Sequence, residues 1–190
     1  MKKKIIIAIT GASGSIYAQQ LLLKLQKLKG QLEEAALLIS NNGIKVWEYE
    51  LENSEYNNFP FFRYDINDFF SPVASGSANY HSMIIIPCSM GTMGKIAHGT
   101  SNDLIIRAAD VMLKEKRKLI LVPRESPYNL IHIENMKLIT RAGGIICPAS
   151  PSFYSKPQNI NDLVNTIIDR VLNLAEFDID SYKWGKNKSD

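Results

Sequence analysis

Five short segments of this chain concentrate the residues able to hold an anion. Gly11-Ala-Ser-Gly-Ser15 offers two glycines and two serines, so backbone N–H groups and hydroxyls can approach a charged ligand with no side chain in the way. Ser40-Asn-Asn-Gly43, Cys88-Ser-Met-Gly-Thr92 and Ala149-Ser-Pro-Ser-Phe-Tyr154 add neutral donors, and Arg124-Glu125 adds a cation. Many neutral donors around a fixed cation suit a phosphate ester. The first segment departs from both common nucleotide loops. Its glycines are spaced Gly-x-x-Gly rather than G-x-G-x-x-G, and no Lys-Ser/Thr pair follows. Small residues between a strand and a helix also suit tight packing, so the turn by itself fits either reading.

Other chemistry is thinner. Arg107 and Lys114 lie seven apart and share one face of a helix expected over 102–116, with Asp110 three beyond Arg107. A solvated face carrying an Arg–Asp pair, worth only ~0.2–0.5 kcal/mol, explains them as well as a site does. Glu50, on an expected helix over 44–51, is by default one more helix carboxylate, and His81 a structural histidine near a strand start. Cys88-Ser89 runs into Met90-Gly91, which is no nucleophile elbow, and no histidine has an acidic partner at a recognisable spacing. His81, His98 and His132 show no paired spacing, which argues against zinc.

The anion-holding segments share a position. Aliphatic runs at 4–10, 35–40, 83–87, 118–123 and 144–148 are short and bounded by Gly, Pro or Ser, and helix-period segments separate them. That alternation predicts a three-layer α/β/α domain with a Rossmann-like or flavodoxin-like parallel sheet, covered on both faces. In such a sheet ligands sit outside the carboxyl ends of the strands, where all five segments fall. The last helix shows an apolar stripe of Ile160, Leu163, Val164, Ile167, Ile168, Val171 and Leu172, with Asn159 or Asn161 placed to cap it. Two regions break the pattern: an irregular, aromatic-rich insertion over 53–68, and a tail over 177–190 whose Phe177, Tyr182 and Trp184 suggest docking on its own domain or a neighbour.

Length and composition set the bounds. A chain of 190 residues, 45% hydrophobic, is most simply one domain with a core that needs no disulfide or metal. With 22 basic and 19 acidic residues the charge of +3 is too mild to argue for nucleic acid. Cys88 and Cys147 end aliphatic runs and read as buried thiols in a reducing compartment. The apolar run over 5–9 is too short for a secretion signal, and none nears the ~20 residues of a membrane span, so a soluble, cytoplasmic protein is expected.

Seven segments in order carry a resemblance. Thr10-Gly-Ala-Ser-Gly-Ser-Ile-Tyr17, Ala74-Ser-Gly-Ser77, Pro87-Cys-Ser-Met-Gly-Thr92, Asn102-Asp-Leu-Ile-Ile-Arg-Ala-Ala-Asp-Val-Met-Leu-Lys114, Leu121-Val-Pro-Arg-Glu-Ser-Pro127, His132-Ile-Glu-Asn-Met136 and Pro148-Ala-Ser-Pro-Ser-Phe-Tyr154 resemble successive motifs of the UbiX-type flavin prenyltransferases. The resemblance implies transfer of a dimethylallyl group from dimethylallyl phosphate to reduced FMN, first to nitrogen 5 and then to carbon 6, without a metal. It implies a product, prenylated FMN, that serves UbiD-type decarboxylases, and a homododecamer with active sites at subunit contacts.

Position by position, the resemblance implies that Gly11, Ala12 and Ser13 hold the flavin with Ser13 near nitrogen 5, joined by Ser40, Ser89, Met90, Gly91, Thr92 and Arg124. It implies that Arg107, Lys114, Arg124, Glu125, Tyr154 and Arg170 surround the prenyl phosphate. Ser75 matches a further active-site serine, Glu50 a carboxylate that helps remove a proton, and Trp184 an aromatic of the prenyl pocket. Cations at the phosphate end and π-faces at the other suit an allylic group that ionises. Two other readings stand beside this one: an FMN-dependent cysteine decarboxylase of related fold, whose Pro-Ala-Ser-Ala-Asn-Thr motif the segment 72–79 resembles in part, and a non-catalytic FMN carrier.

Overall fold

The computed structural model describes residues 2–183 and 185. Six parallel strands form one sheet: β1 (Lys3–Ile9), β2 (Leu32–Ile39), β3 (Phe62–Tyr64), β4 (Ser82–Cys88), β5 (Lys118–Pro123) and β6 (Ile145–Ile146), in the order β3-β2-β1-β4-β5-β6. The helices are α1 (Ser15–Lys27), α2 (Asn41–Leu51), α3 (Met90–Ala97), α4 (Leu104–Lys114), α5 (Leu130–Arg141) and α6 (Ile160–Leu174). The expected three-layer architecture is present. The insertion over 53–68 is less irregular than expected, since its Phe62–Tyr64 pairs with Ala36–Leu38 and supplies the edge strand. Composition hid it: three residues give too little alternation to read as a strand.

Alternation along the strands sorts the core into two layers. Ile5, Ile7 and Ile9 face α1, α6 and the buried Trp47 of α2, while Ile6, Ala8, Met83 and Ile85 face α3, α4 and Ile139 of α5. Each such side chain contributes about 1.5–3 kcal/mol by leaving water, which is what holds the helices against the sheet. Asn159 caps α6, its side chain accepting from the Asp162 N–H at 2.9 Å. The tail docks on its own domain as far as it is described. Phe177 is buried, and the Gln31 side chain pairs both ways with the Asp178 backbone at 2.7 and 2.9 Å. Cys88 is fully buried, but Cys147 is only half-buried, since β6 is a two-residue edge strand.

The sequence order reverses at β1. Strands β2 and β3 add on one side, then the chain crosses to lay β4 on the other, so the carboxyl ends of β1 and β4 diverge into a crevice. Thr10, 2% exposed, ties the two ends together. Its hydroxyl donates to the Pro87 carbonyl at 2.8 Å and accepts from the Ser89 N–H at 2.8 Å.

Candidate functional site

Three helix starts, those of α1, α2 and α3, converge on this crevice. Helix α1 begins after Gly14, whose φ of 112 is left-handed and which gives no side-chain cap. Its first donors go to a carboxylate from another helix: Glu50 accepts from Gly14 N at 2.9 Å and Ser15 N at 2.7 Å, and also from the Ser13 hydroxyl. Trp47, one turn earlier on α2, is buried in the core and fixes the face from which Glu50 reaches α1. Partial burial pushes the Glu50 carboxyl up. The hydrogen bonds from Ser13, Ser15 and Gly14 outweigh it, and the net shift is downward. The anion that the opening turn was expected to hold is thus, in this chain, its own Glu50.

Arg124 closes the same knot from β5, its Nε donating to the Ser13 carbonyl at 3.0 Å. Ser13 is therefore held at both ends, by hydroxyl and by carbonyl. Gly11 is required for space: a Cβ there would lie 2.5 Å from Asn42 Cβ, so glycine lets the start of α2 close on the turn. Ala12 is buried beneath it.

The other two helix starts are capped by their own serines. Ser40 Oγ accepts from Gly43 N at 3.0 Å, and Ser89 Oγ accepts from Thr92 N at 3.2 Å while sharing a 3.0 Å hydrogen bond with the Thr92 hydroxyl. A capping serine accepts with its lone pairs and keeps its O–H proton to donate. Met90 and Gly91 open α3 beside them, and beyond Gly91 lies open space, with nothing within 4 Å of an added Cβ. The half-buried hydroxyls of Ser40 and Ser89, the open space beyond Gly91 and Arg124, all at the carboxyl edge of the sheet, fit a planar, phosphate-bearing group such as FMN. Glu125 is half-buried next to Arg124, and its Oε1 accepts from Ser126 N at 3.1 Å.

The remaining expected residues lie elsewhere in the chain. Arg107 and Lys114 are on α4, which runs toward the amino end of β5. Arg107 donates to the Ala74 carbonyl at 3.2 Å and pairs with Asp110 at 2.8 Å, so it braces the turn that carries Ser75. Ser75 Oγ is 2.9 Å from Ser77 Oγ. Lys114 pairs with Glu115. Arg170 is on the polar side of α6, where a cavity of about 810 Å³ opens between Ser150, Ser152, Asp169, Ser181 and Tyr182. Tyr154 stands 66% exposed on the loop leading to α6. Trp184 lies outside the described residues.

Helices α4 and α6 cover opposite faces of the sheet. At roughly 10 Å per packed layer, Lys114 and Arg170 of one copy cannot meet at one phosphate. The structure brings together Gly11 to Ser15, Ser40, Glu50, Ser89 to Thr92 and Arg124, and does not bring Ser75, Arg107, Lys114 or Arg170 to them. Sequence reasoning gave no role to Thr10, which reads as a strand residue; a polar residue closing an aliphatic strand was the available signal. Among the described residues no three His, Cys, Asp or Glu side chains gather as a metal site would need. Nor, among them, is any helix long and apolar enough to cross a membrane.

A parallel α/β sheet with donors, one cation and a carboxylate-bound serine at its switch point defines a ligand-binding domain of the flavin-binding class. The chain belongs to the Flavoprotein family, whose model matches residues 1–172, and within it to the UbiX-type flavin prenyltransferases. It is 45% identical over 185 residues to the flavin prenyltransferase UbiX of Methanocaldococcus jannaschii, covering 96% of this chain and 98% of that one. Among solved structures it resembles AnUbiX in complex with FMN and dimethylallyl pyrophosphate, with TM-score 0.90, 38% identity and 97% and 100% coverage. It also resembles a dodecameric FMN-dependent UbiX-like decarboxylase from Escherichia coli O157:H7, with TM-score 0.89, 36% identity and 95% and 98% coverage.

Proposed function

We propose that this protein is a flavin prenyltransferase that moves a dimethylallyl group from its phosphate ester to reduced FMN. The observation that carries the reading is the Ser13 knot at the switch point of the sheet, in which Glu50 takes the hydroxyl and Arg124 takes the backbone carbonyl. Reduced FMN supplies the nucleophilic ring atoms when bound. Ser13 donates its proton to Glu50 and so keeps lone pairs to accept from an N–H of the acceptor. Glu50, held ionised by its donors, can take up a proton released at the second bond. Ser40, Ser89, Thr92 and the α3 start hold the flavin's phosphate side, and Arg124 bridges the two substrates.

Phosphate departure from an allylic carbon needs fixed cations, and here they come from more than one copy. Arg170 and Tyr154 of one copy, with Glu125, face Arg107, Lys114 and Ser75 of another, so the site is whole only in a homo-oligomer. A relative of this fold assembles as a dodecamer, and we assign the same assembly here. Trp184 and the end of the 177–190 tail belong, in this reading, to the apolar side of the prenyl pocket. The prenylated FMN leaves for a UbiD-type decarboxylase. The free thiols of Cys88 and Cys147 suit a reducing cytoplasm.

No observation favours cysteine decarboxylation, which would need a catalytic histidine. His81 accepts from Lys4 N at the amino end of the sheet, His98 bonds the Gly94 carbonyl, and His132 caps α5. Anaerobic incubation with reduced FMN and either dimethylallyl phosphate or dimethylallyl pyrophosphate, followed by mass spectrometry of the flavin, tests the proposal. The expected result is a flavin heavier by one C5H8 unit with at least one donor; an unchanged mass with both substrates bound overturns it in favour of the carrier.

A further inference from the structure

The end of α4 is built as a corner. Glu115 is its C-cap, Lys116 takes a left-handed φ of 54, and the Arg117 N–H returns to the Met112 carbonyl at 2.8 Å. That reversal gathers Lys114, Glu115 and Arg117 against the turn over 75–79. Lys114 Nζ bonds Glu115 Oε1, and Glu115 Oε2 lies 3.9 Å from Arg117 Nη2. Arg117 in turn donates to the Gly76 carbonyl at 2.8 Å and to Asn79 Oδ1 at 3.1 Å. The carboxylate rests on Gly76 itself, where an added Cβ would lie 2.6 Å from Glu115 Cδ and 3.0 Å from Cγ. Gly76 has no left-handed φ; what it provides is room.

An exposed ion pair adds little to stability, so folding alone does not account for this seat. Lysine carries its charge on a flexible four-carbon stem, and a lysine that must meet a phosphate at a set angle needs an anchor. The anchor here is a carboxylate that is itself immobilised, from below by Gly76 and from the side by Arg117. Lys114, Glu115 and Arg117 together keep one net positive charge, so the corner still attracts a phosphate. Lys114 above all, and Arg117 less, hold the Glu115 carboxyl below its usual range, so it stays charged.

We propose that Glu115 is a positioning residue whose carboxylate, seated on Gly76 and countered by Arg117, fixes the direction in which Lys114 presents its ammonium to the phosphate of the prenyl donor. This rests on the reading of Lys114 as a phosphate ligand.

Titration of dimethylallyl phosphate into the protein loaded with oxidised FMN, which accepts no prenyl group, reads binding without turnover. Glu115→Gln is expected to weaken donor binding about tenfold, the weight of one hydrogen bond to a charged group. FMN affinity and assembled mass should stay as in the unsubstituted protein. Gly76→Ala should weaken donor binding in the same direction, and Gly76→Ala/Glu115→Asp, whose shorter side chain clears the new methyl, should regain most of it. Donor affinity unchanged in both single variants, or tighter in Glu115→Gln, overturns the proposal, as does weakening accompanied by loss of assembled mass. If Lys114→Ala also leaves the affinity unchanged, the underlying reading of Lys114 falls; if only Lys114→Ala weakens it, this inference alone falls.

Discussion

The crevice between β1 and β4 and the corner at the end of α4 are both dense in polar side chains, yet they lie at opposite ends of the strands. In the crevice, Glu50 of α2 and Arg124 after β5 both close on Ser13 of the β1–α1 turn, while Thr10 of the same turn ties β1 to the end of β4, around an open edge. In the corner, Arg107 is spent on Asp110 and the Ala74 carbonyl, and Arg117 on Glu115 and the Gly76 carbonyl, away from the crevice. Helix direction explains the difference. The starts of α1, α2 and α3 must lie at the carboxyl ends of the strands they follow, whereas the end of α4 must lie where β5 begins. A residue near the end of a crossover helix is therefore kept from the strand-end crevice of its own copy, and under the proposed function it serves that of another.

The largest effect expected from breaking this comparison is on catalysis by mixed assemblies. Lys114→Ala and Arg170→Ala should each lower kcat/KM for prenyl transfer by roughly 10²–10³, the scale of removing one group that stabilises developing charge. If each site takes Lys114 from one copy and Arg170 from another, co-assembling equal amounts of the two inactive variants leaves about a quarter of the sites with both residues intact. Activity of the mixture should then return to about a quarter of that of the unsubstituted protein, measured on flavin mass after dissociation and reassembly. A mixture as inactive as its components would place both cations in one copy and contradict the two-face geometry.

A smaller effect is expected within the crevice, where a single chain suffices. Glu50→Gln keeps the shape of the side chain but removes the charge that Ser13, Gly14 and Ser15 point at. Prenyl transfer should slow by about 10²-fold, within the range for losing a proton acceptor, and a singly attached adduct should accumulate. The same change has a readable sign in stability. Glu50 titrates below its ordinary value of 4.5 in the folded chain, so its contribution is complete above that value and is lost as pH falls through the lower folded value. The stability difference between the native chain and Glu50→Gln should be constant from pH 7 down to about 5 and shrink toward pH 3. Urea unfolding at each pH measures it, and a difference that grows on acidification would mean that Glu50 is not held ionised by the α1 start.

How much of this was legible follows the same division. The strand-end segments were found by type and position, because in a parallel sheet the residue after a strand has only one place to go. Local pattern also placed β5 over Lys118–Pro123, but it gave the helix over 102–116 rather than Leu104–Lys114, since Asp103 serves as cap and Lys116 reverses the chain. What was not legible depended on distant partners. The glycine-rich turn fitted an anion site as well as tight packing, and nothing in it showed that Glu50, 36 residues further on, would answer it. The Arg107–Asp110 pair was legible from its spacing, yet the layer that α4 covers is decided by chain crossing. The edge strand β3 and the bracing of Ser75 by Arg107 needed the tertiary fold to appear.

The smallest expected effect separates the two kinds of helix start. Helix α1 has its donors filled from another helix, whereas α3 relies on Ser89. Replacing Ser89 by Ala removes the acceptor for the Thr92 N–H and should cost about 1 kcal/mol, the usual weight of a cap. For a chain of this length that corresponds to a fall in Tm of roughly 2–4 °C, read by thermal unfolding without FMN. Ser89→Thr, which keeps the accepting oxygen, should restore most of it. FMN affinity should fall in Ser89→Ala by more than Tm suggests, since the hydroxyl that caps α3 is also assigned as a donor to the flavin. An unchanged Tm with weakened FMN binding would show that α3 needs no cap and that Ser89 serves the ligand alone. An unchanged affinity with lowered Tm would return Ser89 to the scaffold and leave Thr92 and Gly91 to hold the phosphate side.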